Sequence, residues 1–123
     1  MVSAWVKKND KWGFIDKTGK EIASCIYDDV SYFSEGLACV RKNDKFGFVD
    51  KTGKEVIPCI YDRTEKFCEG LAWVNKNDKF GFIDKTGKEV ISCIYDDAYN
   101  FEEGLAEVQK SGYWGFIDKT GKE

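Results

Sequence analysis

Cysteines and aspartates recur along this 123-residue chain at a spacing of 34 residues, and both residue types can do chemistry. The repeated thiols and carboxylates are Cys25, Cys59 and Cys93, and Asp16, Asp50, Asp84 and Asp118. Such rows could bind zinc or calcium, or pair two carboxylates for acid–base catalysis. However, the chain contains no histidine, and every copy of each row is alike. Because catalysis needs an asymmetric arrangement of acid, base and orienting group, we expect no catalytic residue, no metal site and no cofactor.

The repeated Lys-Thr-Gly-Lys segment could be compared with a phosphate-binding loop, but its spacing differs. Gly13 and Gly19 enclose five residues rather than four, and Glu21 stands where that loop has Ser or Thr. A β-hairpin turn fits better, because the preceding Asp can cap the turn and the Gly can adopt a positive φ. We therefore predict four copies of one turn.

The spacing of these residues reflects a tandem repeat of 34 residues. Residues 36–67 match residues 70–101 at 24 of 32 positions. Each unit is predicted to contain three short strands, which in the second unit are residues 37–41, residues 46–50 and a strand that starts at Glu55. Gly47 lies between the two rings of the second strand, and this glycine is predicted to let another backbone or ring approach closely. Pro58 lies in the third strand and predicts that this strand is short, bulged or at an edge. The glycine that ends the unit, Gly70, is predicted to stop a short helical turn.

Three strands cannot bury a face alone, but stacked units can. We predict an all-β fold in which tandem 34-residue repeats of three short antiparallel strands form a curved or superhelical meander. A closed barrel or a small propeller-like ring is the alternative. The whole chain, residues 1–123, is expected to be one repeat domain with units at about 1–35, 36–69, 70–103 and 104–123. One aromatic row is expected in the interior: Trp12, Phe46, Phe80 and Trp114.

Charge and composition exclude several classes of protein. A net charge of −3 argues against direct nucleic-acid or membrane-surface binding. No apolar run is long enough to span a membrane, and we expect no signal peptide, because residues 1–10 contain no apolar segment of the kind such a peptide needs. The five cysteines are an odd number without a C-x-x-C pair, which is typical of reduced thiols in a cytoplasmic protein.

Positions at which the units differ are the candidates for binding a partner. Some of them lie on the first strand, on the face expected to point outward, and the others lie in the loop between units. Aromatic side chains and arginines are typical anchors of interfaces. The predicted partner-binding residues are Trp5, Arg41, Trp73, Arg63, Tyr32, Tyr99, Glu65, Lys66 and Asp97. In addition, the last hairpin, residues 106–118, has no third strand after it in the sequence. Its edge is expected to pair with a partner or with a second copy as a homodimer.

The recurring pattern GLA-x-V-x-KNDK-[WF]-GF-[IV]-DKTGKE-[VI]-I-x-x-IYDD resembles the bacterial WG-repeat (KWG) family. In two units Phe46 and Phe80 replace the Trp of that pattern. The resemblance implies a β-rich array that serves as an interaction module. The Lys17-Thr18-Gly19 turn and its copies are also similar to the KTG repeat of small phage-encoded anti-CRISPR proteins, which inhibit type II CRISPR effector nucleases.

Two functions from different classes follow as expectations from this resemblance. The first is a non-enzymatic protein-binding module in the cytoplasm of a bacterial host cell, in its sharpest form an inhibitor that docks on a CRISPR effector nuclease. Acidic loop residues are then expected to meet the basic nucleic-acid channel of that nuclease: Asp28, Asp29, Glu35, Asp96, Asp97, Glu102 and Glu103. The second is a ligand-binding or scaffolding module for a nucleotide, a glycan or an envelope component, with Trp5 and Trp73 as stacking platforms.

Overall fold

The computed structural model describes residues 4–123, and every regular element within them is a β-strand. The first three residues of the predicted first unit lie outside the described residues. By internal packing the chain divides into two compact units, one ending at Ile60 and the other starting at Tyr61. Residues 4–123 contain no helix that could serve as a membrane span.

The strands form four sheets. Those of the first two sheets are β1 (Ala4–Lys8), β2 (Lys11–Ile15), β3 (Glu21–Tyr27), β4 (Asp29–Val30), β5 (Leu37–Lys42), β6 (Lys45–Asp50) and β7 (Glu55–Tyr61). Those of the other two are β8 (Arg63–Thr64), β9 (Leu71–Lys76), β10 (Lys79–Asp84), β11 (Glu89–Tyr95), β12 (Asp97–Ala98), β13 (Leu105–Lys110) and β14 (Tyr113–Asp118). The orders are β1-β2-β3, β4-β5-β6-β7, β8-β9-β10-β11 and β12-β13-β14.

Within each sheet, strands that follow one another in sequence lie side by side and run antiparallel, which confirms the predicted all-β repeat meander. The number of strands per repeat differs from the prediction, because a fourth strand of two residues is present. In β4, Asp29 lies opposite Arg41 and Val30 lies opposite Val40. This segment was expected to be loop. It forms a strand because it covers an edge of β5 whose backbone groups would otherwise lack partners.

The predicted helical turn before Gly70 is wrong, since a tight β-turn stands there. Glu69 and Gly70 both have positive φ, at 55° and 83°. The Cys68 N–H donates to the Leu71 carbonyl at 2.8 Å, and the Leu71 N–H donates back to the Cys68 carbonyl at 3.1 Å. Two consecutive residues with positive φ are the signature of a two-residue hairpin, and the Gly makes that backbone accessible. The Gly therefore reverses the chain instead of ending a helix.

In the first three repeats the innermost aromatic row is the second ring of the hairpin, not the predicted first one. Phe14, Phe48 and Phe82 have no exposed surface, whereas Trp12 and Phe46 are half-buried. Phe80 is buried as predicted, but 43% of Trp114 is exposed. The cause is the loop phenylalanine of the same repeat, which packs on the second ring. The Phe82 and Phe101 rings lie 4.8 Å apart, and those of Phe14 and Phe33 lie 5.5 Å apart.

The glycine between the two rings admits the third strand at close range, as predicted. A Cβ placed on Gly81 would lie 2.4 Å from the Ile91 carbonyl oxygen and 2.8 Å from the Cys93 nitrogen. The third strand bulges at this point, because Phe80 pairs with Tyr95 while Phe82 pairs with Ile91. The equivalent strand containing Pro58, β7, lies at the end of its sheet, as the proline predicted.

The Lys-Thr-Gly-Lys segments are hairpin turns capped by the preceding aspartate, as predicted. In the third copy Oδ1 of Asp84 accepts bonds from the Thr86 hydroxyl at 2.6 Å, the Thr86 N–H at 2.9 Å and the Lys88 N–H at 3.1 Å. These bonds, the hydroxyl first, hold the pKa of Asp84 below its ordinary 3.8. The pKa values of Asp16, Asp50 and Asp118 are also lowered.

Stability should therefore fall in acid through these turns. A carboxyl whose pKa is lower in the folded chain stabilises it above pH 3.8, and this stabilisation is lost as the pH falls through the lowered value. We expect the urea midpoint to drop steadily below about pH 4. Asp84→Asn keeps the acceptor oxygen but carries no charge, so its midpoint should start lower and fall less steeply. An acid limb equally steep in wild type and variant would contradict this assignment.

Candidate binding surface

The last sheet exposes apolar side chains, and two of them, Leu105 and Phe116, stand at positions that are buried in the second and third repeats. Along β14, 81% of Tyr113, 43% of Trp114 and 58% of Phe116 are exposed, and at the start of β13 so is 47% of Leu105. The counterpart of Phe116 one repeat earlier, Phe82, has no exposed surface. Exposed rings grouped in this way mark an interaction surface more often than isolated ones do.

A groove of about 600 Å³ lies beside these residues and combines acidic with apolar side chains. Its principal lining residues, called here the acidic aromatic groove, are Tyr99, Glu102, Glu103, Leu105, Glu107 and Phe116. The ring of Tyr99 also stacks on Trp114, with centroids 5.4 Å apart and planes 16° apart. The groove therefore offers rings next to carboxylates.

The acidic turn at the mouth of the groove is held by Glu69. Its carboxylate accepts bonds from the Glu103 N–H at 2.6 Å and the Gly104 N–H at 2.9 Å, and it forms an ion pair with Lys119 at 3.4 Å. The Gly104 bond contributes most to lowering the pKa of Glu69, so this carboxylate stays charged at neutral pH. The positions of Glu102 and Glu103 are thereby fixed from within the same compact unit.

A second acidic residue organises the hairpin that carries the exposed rings. Asp96 forms an ion pair with Lys79, and its Oδ2 accepts a bond from the Ser111 N–H at 3.0 Å. The Lys79 bond, followed by the Ser111 bond, lowers the pKa of Asp96. Asp96 therefore supports the structure from the loop, although it was expected to be one of the acids that meet a partner.

Two of the predicted anchors are built into the core instead of the surface. The ring of Trp5 lies 3.6 Å from that of Phe14, and its Nε1 donates to the Ser31 carbonyl at 3.1 Å. Trp73 packs edge-on against Phe80 at 5.3 Å. The prediction that this face of the first strand points outward is therefore wrong. In β5 and β9, which lie inside their sheets, this face is covered, and Cys39 and Asn75 are only 7% and 2% exposed.

The other predicted residues are spread over both compact units. In the first unit Tyr32 is 92% exposed, while Arg41 is half-buried and forms an ion pair with Asp44 at 3.5 Å. In the second unit the Arg63 guanidinium lies 5.4 Å from the centroid of the Phe80 ring. The loop positions beside it are occupied by the exposed Lys66 and by Glu65, whose carboxylate accepts a bond from the Asn100 amide at 2.8 Å. Asp97 caps the Ala98 N–H at 2.8 Å.

Of the nine predicted residues, only Tyr99 lines the acidic aromatic groove. Sequence reasoning missed Leu105 and Phe116 and placed Trp114 in the interior. The signal for them was present, because the hairpin that carries the rings was recognised as lacking a third strand. Without that strand, residues at repeated core positions become exposed.

The repeated thiols have the chemistry of packed side chains. Burial raises the pKa of Cys25, and it raises that of Cys59 and Cys93 to about 11, so these thiols are protonated at neutral pH. The unrepeated Cys39 is also buried, and its pKa is raised to about 12. Within residues 4–123, no group of three or more His, Cys, Asp or Glu side chains is arranged to hold a metal ion.

A family model described as WG containing repeat matches the chain three times, at residues 12–46, 46–80 and 80–114. Each match runs from the first aromatic ring of one hairpin to that of the next. No curated protein and no solved structure matches the chain.

Proposed function

This chain belongs to the WG containing repeat family, and we propose that it is a non-enzymatic module that binds another protein. The observation that carries the proposal is the acidic aromatic groove, where exposed rings lie next to carboxylates. Aromatic anchors dominate the binding energy of many interfaces, and complementary charge selects the partner. A partner surface rich in Arg and Lys suits both features, because these cations also stack on aromatic faces.

In its sharper form, the proposal is that the partner is a type II CRISPR effector nuclease and that the chain is a phage-encoded inhibitor of it. Such nucleases hold a guide–target heteroduplex in a positively charged channel. Glu102, Glu103 and Glu107 supply charge of the opposite sign, and docking there would block DNA access or guide loading. The same carboxylates would repel phosphates, so direct binding to nucleic acid is not part of the proposal.

The test is a binding titration against a type II effector nuclease, with and without its guide RNA, together with a DNA-cleavage assay. The double variant Glu102→Gln/Glu103→Gln should bind about tenfold more weakly, mainly through slower association. The matched control, Asp10→Asn/Asp78→Asn, removes the same charge from two exposed turns where Asn tolerates the positive φ, and it should bind like the wild type.

Salt separates charge steering from other modes of binding. Affinity should weaken as ionic strength rises, because exposed charges are screened over about 8 Å at physiological salt. Binding that resists salt and ignores the double substitution would rule out the groove as the contact surface. No binding and no inhibition of cleavage would rule out this partner.

A second function, ligand binding or scaffolding, is favoured by a different site. In the first compact unit a cavity of about 240 Å³ is lined by Trp5, Trp12, Val30, Ser31 and Tyr32. The rings at this site could stack on a nucleotide base, on a sugar of a glycan or on a ring of an envelope component. A ligand that binds the native chain raises its melting temperature by mass action. Stabilisation by a nucleotide or an oligosaccharide, without any binding to the nuclease, would favour this alternative.

A further inference from the structure

Arg63, Asn75 and Phe80 form one row across the third sheet. Arg63 of β8 lies opposite Asn75 of β9, and Asn75 lies opposite Phe80 of β10. Residues directly opposite one another on neighbouring strands share a face of the sheet. The three side chains therefore follow one another across the sheet, with Asn75 in the middle. All three residues belong to the second compact unit, and none of them lines the acidic aromatic groove.

The side chain of Arg63 covers that of Asn75. Its guanidinium carbon lies 5.4 Å from the centroid of the Phe80 ring. Neighbouring strands are about 4.8 Å apart, and Phe80 stands two strands away from Arg63, so the arginine must reach across Asn75 to approach the ring. Asn75 is accordingly 2% exposed, although Arg63 is itself exposed. Because a cation–π contact at an exposed site is weak, Arg63 is a lid that can be drawn aside.

The side-chain amide under this lid lacks a hydrogen-bond acceptor. The Nδ2 atom of Asn75 is buried and forms no hydrogen bond with any of residues 4–123. Within the same residues, the Arg63 guanidinium contacts the Phe80 ring but forms no ion pair. A buried donor without an acceptor destabilises a fold, and native proteins contain few of them. Arg63 and Asn75 thus place two groups of unused donors next to each other.

The equivalent position in the neighbouring repeats holds an acid. Asp29 in β4 and Asp97 in β12 stand where β8 has Arg63. In the third sheet a base has replaced the acid, and it faces the amide of Asn75. This row therefore combines a guanidinium with an amide and contains no carboxylate. A carboxylate is the planar acceptor whose two oxygens match the paired N–H groups of a guanidinium.

We propose that Arg63 and Asn75 form a binding site for one carboxylate group of a ligand or a partner protein. The guanidinium donates to both carboxylate oxygens, and the Asn75 Nδ2 donates to one of them when the arginine moves aside. Binding then supplies the acceptor that the buried amide lacks in the free chain. The inference goes beyond the proposed function and does not rest on it, because the acidic aromatic groove attracts cations whereas this site takes an anion.

The experiment titrates the full chain, labelled with ¹⁵N, with sodium acetate, while sodium chloride keeps the ionic strength constant. The chain contains two arginines, and Arg41, which pairs with Asp44, is the built-in control. The NMR signals of the Arg63 Nε–H and of the Asn75 side-chain amide should shift along one saturating curve, and the Arg41 Nε–H signal should stay in place. Equal shifts of both arginines, or no shift of either, would overturn the proposal. Inorganic phosphate binding more tightly than acetate would do so as well, because the site would then select charge instead of a carboxylate.

Three variants assign the binding to these two side chains. Arg63→Gln should weaken acetate binding about tenfold, whereas Arg41→Gln should leave it unchanged. Arg63→Lys keeps the charge but loses the planar fork, so it should weaken binding roughly threefold. Asn75→Leu should raise the urea midpoint, because it removes a buried donor without an acceptor, and should still weaken acetate binding roughly threefold. If Asn75→Leu bound acetate like the wild type, the buried amide would have only a structural role and the proposed site would be wrong.

Two small ligands distinguish the sources of the carboxylate. N-acetylglutamate amide carries it on a side chain, and N-acetylalanine carries it at a chain terminus. The one that binds more tightly identifies whether the site takes an acidic side chain or the end of a peptide. N-acetylalaninamide has no carboxylate and should not bind, and equal binding of all three would contradict the proposal.

Discussion

Gly81→Ala is expected to lower the free energy of unfolding by about 3 kcal/mol, at the upper end of overpacking costs. The added methyl group would meet the Ile91 carbonyl oxygen at 2.4 Å and the Ser92 carbonyl carbon at 2.8 Å. Both are backbone atoms of β11, so no side chain can rotate away to relieve the contact. The strand must shift and loosen its pairing with β10. The measurement is urea unfolding of the full chain.

The chain contains its own control, one repeat further along. Gly115→Ala introduces the same methyl group at the same position of a hairpin in the same compact unit, but into open space. Its φ lies outside the left-handed region, so alanine is tolerated there. The change should be neutral or stabilise by up to about 1 kcal/mol by restricting the unfolded chain. Equal losses in both variants would mean that backbone conformation, not the crossing strand, demands glycine.

The local elements of this fold could be predicted because the residues that determine them recur at the same positions of each repeat. Asp50 with Gly53 predicted a capped hairpin turn, and the Asp50 carbonyl indeed accepts the Gly53 N–H at 3.0 Å. Gly81 between two rings predicted a close backbone approach. Such features depend on φ preferences and hydrogen bonds within a few residues, which local sequence encodes directly.

Burial could not be predicted equally well, because it depends on what lies outside the strand. The alternation of side chains along the first strand separates its two faces, but it does not show that both faces are covered. Trp73 was therefore assigned to the surface. Phe80 and Phe82 share a face by periodicity, so only the contact with Phe101 reveals which ring lies deeper. The short strand of Asp29 and Val30 was missed because two residues carry almost no periodic signal.

The candidate site was missed for a related reason. Similarity between copies indicates packing only where the packing partner is present. Trp114 and Phe116 repeat the core pattern, yet the structure leaves them exposed at the edge of β14.

Phe82→Ala should cost about 4 kcal/mol, within the range for deleting a buried phenylalanine. Its ring has no exposed surface and packs edge-on against Phe101 at 4.8 Å, so truncation leaves a cavity inside the core of the second compact unit. Phe116→Ala removes the same atoms from the same repeat position, where 58% of the residue is exposed, and should change stability by less than about 0.5 kcal/mol. Urea unfolding of the two variants, followed by tryptophan fluorescence, measures the difference.

A loss for Phe116→Ala as large as for Phe82→Ala would mean that β14 is covered in solution, by a second copy or by another strand. Repeating the unfolding at several protein concentrations separates the two, because only a dimer gains stability with concentration.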